Sequence, residues 1–322
     1  MTNALITGAT GFLGGALARR LHAAGWQITA TGRNRAAGDA LQAAGLRFIP
    51  ADLARDALSP LLDGVEVVFH CAALAAPWGR EPDFIAANVT ATERLVNACQ
   101  RAQVRRLIHV STPSIYFSGL VGRRDVREDA PLPPVAANTY AATKRQAEQI
   151  VDASGLPAIT IRPRAIVGEG DPTVIPRIIR ALERGRFPRI GKGDNLTDIT
   201  YIENVVDSLL LCAAAPDTLH GRKFNITNGE PLLLWTMIER LAALTGLPPP
   251  RGSVPPQVAY GLATALEWAY RGRVTEPPLT RYTVGLLATD QTLNIDAARN
   301  DLGYVPRVSN AEAFERVAAA WR

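Results

Sequence analysis

The run Ala4-Leu5-Ile6-Thr7-Gly8-Ala9-Thr10-Gly11-Phe12-Leu13-Gly14 decides how this chain folds. Its apolar start reads as a buried strand and its glycines as a tight turn. Leu13, Leu17 and Leu21 then lie on one face of a helix that Gly25 stops. Strand, glycine-rich turn and helix in that order make a phosphate site, because a helix amino terminus offers unpaired N–H groups and a partial positive charge. Gly8 permits the turn, Gly11 the close approach of backbone to phosphate, and Gly14 the packing of helix on strand. Gly8, Thr10, Gly11, Phe12 and Leu13 are therefore the expected phosphate-facing positions. A glycine triplet alone is weak; the flanking strand and helix give it weight.

In a dinucleotide site of this kind, an acid about 20 residues past the glycines pairs with the adenosine ribose. No Asp or Glu occurs here before Asp39. The second strand, ending at Gly32, delivers Arg33 instead, with Arg35 two residues on. A guanidinium at Arg33 would clasp a 2′-phosphate by paired hydrogen bonds, so NADP is expected, with NAD as the alternative. Only Lys144, Lys192 and Lys223 among the 35 basic residues are lysines, so an arginine is common anywhere and Arg35 reads equally well as surface. The missing acid carries more weight than either arginine. Asp52-Leu53 follows the next strand, where Asp52 would meet an adenine amino group or simply cap the strand end.

At 47% hydrophobic and 20% charged, the composition is that of an ordinary globular chain. The net charge of +5 comes from scattered arginines interleaved with acids, which argues against a nucleic-acid partner. Cys71, Cys99 and Cys212 are odd in number, sit in apolar surroundings and lack ligand spacing. Free thiols in a reducing cytoplasm, and no metal site, are expected. Met1 leads directly into the first strand, leaving no room for a signal peptide. No uncharged run reaches the ~18 residues that a membrane span takes.

Strand-like runs recur at 46–52, 65–71, 106–111 and 158–162, separated by helical patterns near 36–44, 82–102 and 139–154. This alternation predicts an α/β fold, a doubly wound parallel sheet whose ligands gather at the strand carboxyl ends. Ala72, Ala73, Ser111, Thr112 and Pro163 fall at such ends. Residues 1–167 read as the nucleotide-binding domain carrying the catalytic groups. From about Gly168 the alternation fades, and 168–322 reads as a mainly substrate-binding lobe of mixed structure with crossings back to the sheet. A Pro-rich apolar insert spans 247–289. Within it, Val258, Leu262, Ala265 and Ala269 have helical spacing, either as a plain core helix or as a lid over an apolar pocket that touches a membrane surface when open.

Tyr140-Ala141-Ala142-Thr143-Lys144 places a phenol and an ammonium one helical turn apart, hence side by side. A phenol with an ordinary pKa near 10 is a poor base at neutral pH, and an adjacent cation lowers that value. The same Lys144 can hydrogen-bond a cofactor ribose. Thr112 is the expected third member, polarising the substrate oxygen, with Ser111 in reserve, because Pro113 forces a sharp exit from the strand.

Thr7–Gly14, Asp52-Leu53, Asn88-Val89-Thr90-Ala91-Thr92, Ser111-Thr112, Tyr140–Lys144 and Arg162-Pro163 together resemble the extended short-chain dehydrogenase/reductase family, over essentially the whole chain. The resemblance implies a Rossmann sheet, a Thr112–Tyr140–Lys144 catalytic set and contact of the backbone after Pro163 with a nicotinamide. Nucleotide-sugar members carry an arginine where this chain has Thr197, and sugar dehydratases an Asp-Glu where it has Pro113-Ser114. The 3β-hydroxysteroid dehydrogenase-like branch is more similar, including sterol-4-carboxylate dehydrogenases and bacterial 2-alkyl-3-oxoalkanoate reductases. That branch implies exchange of a secondary alcohol and a ketone on a hydrophobic substrate, a β-keto or β-hydroxy acid or a steroid-like molecule. The family also implies a homodimer through the Asn88 and Tyr140 helices. Two alternatives stand: a nucleotide-sugar epimerase or reductase, and a non-catalytic dinucleotide-sensing regulator.

Overall fold

The computed structural model describes residues 2–185 and 187–321. Seven strands form one sheet in the order Lys223–Ile226, Ala158–Pro163, Arg106–Val110, Val67–His70, Asn3–Thr7, Gln27–Gly32, Arg47–Pro50. Every pairing is parallel. The near-continuous apolar runs are explained by burial on both faces. Ala4 and Ile6 join Leu17, Leu21, Val67 and Phe69 in the core on one side. Leu5, between them, joins Val68, Leu95 and Leu107 on the other. Each of the larger side chains contributes roughly 1.5–3 kcal/mol by leaving water.

Helices Phe12–Ala23, Arg35–Ala43 and Ile202–Ala214 cover the first face. The second is covered by helix Thr139–Ala153 and by a helix running from Glu81 to Arg101. The latter widens into a π turn at Ile85–Thr90, a distortion that tends to accompany functional sites. Buried Asn88 lies in this turn. Its side chain accepts from Leu74 N–H (2.7 Å) and donates to Leu74 O (3.3 Å) and Thr143 Oγ1 (3.1 Å), tying the loop after Val67–His70 to the Tyr140 helix. Strand order reverses at Asn3–Thr7 and Val67–His70, the switch point where ligands of such sheets bind.

After residue 168 the chain divides its elements. Helix Ile202–Ala214 and strand Lys223–Ile226 return to the large sheet. The remainder builds a second core around Ile179, Trp235, Ile238, Leu241, Val284 and Phe314. A small mixed sheet supports it, ordered Leu232–Leu233, Leu196–Thr197, Gln291–Leu293, Arg123–Val126. One strand of this lobe thus comes from the first half of the chain.

Helix Pro256–Ala269 packs on helix Arg281–Ala288 through its small residues, burying Ala259 and Ala263. Val258, Leu262 and Trp268 are left 61%, 55% and 78% exposed. The stripe therefore faces solvent, while Ala259 and Ala263 lie on the packed face.

Candidate active site

A cavity of about 620 Å³ opens at the carboxyl ends of the strands. Gly8, Thr10, Gly11, Phe12, Leu13, Arg33, Asp52, Leu53, Ala72, Ala73, Thr112, Tyr140 and Pro163 all line it. Of the residues expected at the site, Lys144 alone does not.

The glycines are there because no side chain fits. A Cβ on Gly14 would stand 2.3 Å from Gly8 O, and one on Gly8, whose φ is +68°, would stand 2.8 Å from Ala72 Cα. Gly11 begins helix Phe12–Ala23 with no side-chain cap on its first N–H groups. A bare amino terminus beside a cradle that excludes Cβ atoms fits a pyrophosphate, so the residues present suit a dinucleotide. Arg33 is exposed at the rim, next to Asn34, which caps helix Arg35–Ala43 by accepting from Ala37 N–H (3.1 Å). Asp52 both lines the cavity and caps its own turn, its Oδ1 accepting from Ala54 N–H at 3.0 Å.

Asn138 starts the catalytic helix by accepting from Ala141 N–H (2.8 Å), which places Tyr140 in the first turn. Thr112 Oγ1 accepts from Ser114 N–H (3.2 Å) and donates to Ser114 Oγ (3.1 Å). Lys144 is buried one turn behind Tyr140, and its Nζ donates to Val110 O at 2.8 Å and approaches His109 Nε2 at 3.4 Å. Burial pulls the Lys144 pKa down to about 8, against the pull of Glu148 and Cys71. Burial also pushes Tyr140 up to about 12, opposed by a hydrogen bond with Thr112. The expected depression by Lys144 does not set the resting state: burial dominates the phenol, and the Lys144 ammonium is held by the Val110 carbonyl.

Beneath the site two histidines stack with ring centroids 5.3 Å apart. His70 is held between Thr7 Oγ1 (2.8 Å) and Thr92 Oγ1 (2.9 Å), and burial together with the Lys144 charge lowers its pKa to about 3. His109 is likewise driven well below its ordinary value, by burial first.

Sequence reasoning missed several wall residues. Thr173 and Val174 line the cavity, held by Asp171, whose carboxylate takes the N–H groups of Thr173 (2.7 Å) and Ile175 (2.8 Å). An Asp two residues before Thr173 is a readable turn signal. Tyr282, from the insert, brings its hydroxyl to 3.0 Å from Ser114 Oγ. No local pattern announces it.

A doubly wound sheet, a glycine cradle at its switch point and a Tyr–Lys pair on the adjoining helix define a short-chain dehydrogenase/reductase architecture. Residues 4–227 match the NAD dependent epimerase/dehydratase family, and the chain belongs to it. The 2-alkyl-3-oxoalkanoate reductase of Stenotrophomonas maltophilia is 36% identical, covering 98% of each chain. The decarboxylating sterol-4-alpha-carboxylate 3-dehydrogenase of Homo sapiens is 32% identical over 98% of this chain and 87% of that one. The solved structure of MoeE5 in complex with UDP-glucose and NAD is 28% identical with a TM-score of 0.77, covering 99% of this chain and 98% of that one. Among the described residues, no cluster of His, Cys, Asp and Glu could hold a metal, and no helix is long and apolar enough to cross a membrane.

Proposed function

We propose that this protein is an NAD(P)-dependent oxidoreductase interconverting a secondary alcohol and a ketone on a hydrophobic substrate, a β-keto or β-hydroxy acid or a steroid-like molecule. The observation that carries the reading is that Thr112 and Tyr140 face the same cavity as the phosphate cradle. When bound, the nicotinamide supplies or accepts the hydride. Tyr140 gives its phenolic proton to the carbonyl oxygen in reduction and takes it back in oxidation. Thr112 hydrogen-bonds that oxygen, while Lys144 adds positive charge behind the phenol.

The names of the relatives support a lipophilic ketone or alcohol. Thr197 argues against a nucleotide sugar: it is only 6% exposed and its hydroxyl turns to the carbonyl of Asp198, so nothing at that position grips a diphosphate. Arg33 at the cavity rim, with no acid in the sequence before Asp39, supports NADP over NAD. The exposed face of Val258, Leu262 and Trp268, with Arg271 and Arg273 beside it, supports a peripheral contact with an anionic membrane from which an apolar substrate is drawn. Three free cysteines suit the cytoplasm, and the family resemblance extends the reading to a homodimer. A panel of long-chain 3-hydroxy acids, hydroxysteroids and UDP-sugars, followed at the reduced-nicotinamide absorbance, tests the reading. Turnover of the first or second class supports it; turnover of UDP-sugars alone overturns it.

A further inference from the structure

Thr112 faces the cavity, but its proton does not. A hydroxyl has one proton and two lone pairs. Thr112 Oγ1 accepts from Ser114 N–H at 3.2 Å and directs its proton at Ser114 Oγ, 3.1 Å away. A carbonyl oxygen in the cavity can only accept. Thr112 must therefore turn that proton outward before it can hold the reacting oxygen. What Ser114 does with its own proton decides how readily Thr112 turns.

Ser114 is 5% exposed, and among the described residues its Oγ meets two groups, the hydroxyls of Thr112 and, at 3.0 Å, of Tyr282. The Tyr282 phenol has no other hydrogen-bond partner among them. A phenol is a stronger donor and a weaker acceptor than an alkyl hydroxyl, so Tyr282 donates to Ser114. Ser114 Oγ is left with two choices. If it also accepts from Thr112, its own proton is buried without a partner, which is costly. If it donates to Thr112 Oγ1, every proton in the chain is used: Tyr282 to Ser114, Ser114 to Thr112, and Thr112 to an oxygen in the cavity. Hydrogen bonds that run one way also polarise one another.

The insert fixes the phenol from two sides. Tyr282 stands in the first turn of helix Arg281–Ala288, capped by Thr280, which accepts from Thr283 N–H at 3.0 Å. Gly285 of that helix presses on the loop that follows Ser114: a Cβ there would stand 2.7 Å from Gly119 O. Glu267, on helix Pro256–Ala269, accepts from both the backbone N–H and Nε of Arg281, at 2.7 Å each. We propose that Tyr282 is a positioning residue for the reaction: acting through Ser114, it turns the Thr112 proton toward the reacting oxygen. This rests on the reading above in which Thr112 hydrogen-bonds that oxygen. Neither Tyr282 nor Ser114 lines the cavity, so the insert acts on the chemistry from behind Thr112.

The test is a double-mutant cycle on the whole enzyme, with a substrate that the unmodified protein turns over. Single-turnover rates keep product release from masking the chemical step. Charge on the reacting oxygen grows in the transition state of reduction, so the loss should fall on the rate and not on binding. Tyr282→Phe, which keeps the ring, should slow the bound-state rate about three- to tenfold, as expected for one neutral hydrogen bond, with substrate and cofactor affinity nearly unchanged. In a Ser114→Ala background, where the chain is cut, the same substitution should have no further effect. An unchanged rate in Tyr282→Phe overturns the proposal. So does an equal loss with and without Ser114, or a loss confined to KM. Thr112→Val separates the two readings. If it leaves the rate unchanged, Thr112 does not hold the oxygen and both fall; if it slows the rate while Tyr282→Phe does not, only the positioning role of Tyr282 falls.

Discussion

Tyr140 keeps its proton across the physiological range, because the cavity wall holds its pKa at about 12. That state suits the acid needed for reduction. Ketone reduction should therefore be flat from pH 6 to about 8 and fall as Lys144, with its pKa near 8, gives up its charge. Alcohol oxidation, which needs the phenol as a base, should climb with pH over the same range. Initial rates in both directions check this, and a reduction rate that rises with pH between 6 and 8 contradicts it. Tyr140→Phe should lower kcat about 10²–10⁴-fold with little change in cofactor affinity. A variant retaining more than about a tenth of the activity would remove Tyr140 from the proton step. At the rim, Arg33→Ala should weaken NADP binding about tenfold or more and leave NAD nearly untouched, since one charge-assisted phosphate contact contributes about 1.5–3 kcal/mol. Equal dissociation constants for the two cofactors in the unmodified protein would make Arg33 a surface residue.

Elements were readable where their signal is local. The strand, turn and helix around Gly8 to Gly14 show themselves because strand burial, turn geometry and helix start fall within a few consecutive residues. Tyr140 and Lys144 show themselves because helical spacing fixes their neighbourhood. The orientation of helix Pro256–Ala269 did not. Its stripe of large residues states that one face is apolar, but the helix crossing is decided by Ala259 and Ala263, which admit a close neighbour, and Val258, Leu262 and Trp268 are left outside. The π turn at Asn88 has no periodic signature either, since it is set by side-chain bonds to Leu74 and Thr143. The exposed face makes a prediction at this scale. The protein should sediment with vesicles rich in anionic lipid and bind neutral vesicles less, while Leu262→Glu and Trp268→Glu should release it without loss of fold. Equal partition of the parent and both variants would leave this helix with no membrane role.

Across the whole molecule, two halves of the chain are interleaved, and that is why the remainder of the site was not readable. Tyr282 belongs to the insert and Ser114 follows strand Arg106–Val110; only tertiary folding brings their hydroxyls together. Polar groups sealed in the protein set the response of stability to acid. His70 has a folded pKa of about 3 against 6.5 unfolded, and His109 is displaced the same way. Below pH 6.5 the unfolded chain therefore binds protons that the fold refuses, and stability falls as pH falls, by up to about 1.4 kcal/mol per pH unit for each histidine. Asp198 acts in the opposite sense. Its folded pKa of about 6, against 3.8 unfolded, means that the fold takes up its proton first and gains stability below pH 6. Two histidines against one carboxyl leave a net loss on going from pH 7.5 to 5.5. Urea midpoints at the two pH values should record it, at constant m. His70→Gln, which can still bond Thr7 and Thr92, should be less stable at pH 7.5 but lose less on acidification, by about 1.4 kcal/mol at pH 5.5. If parent and variant lose the same amount, His70 is not the group that the fold keeps neutral.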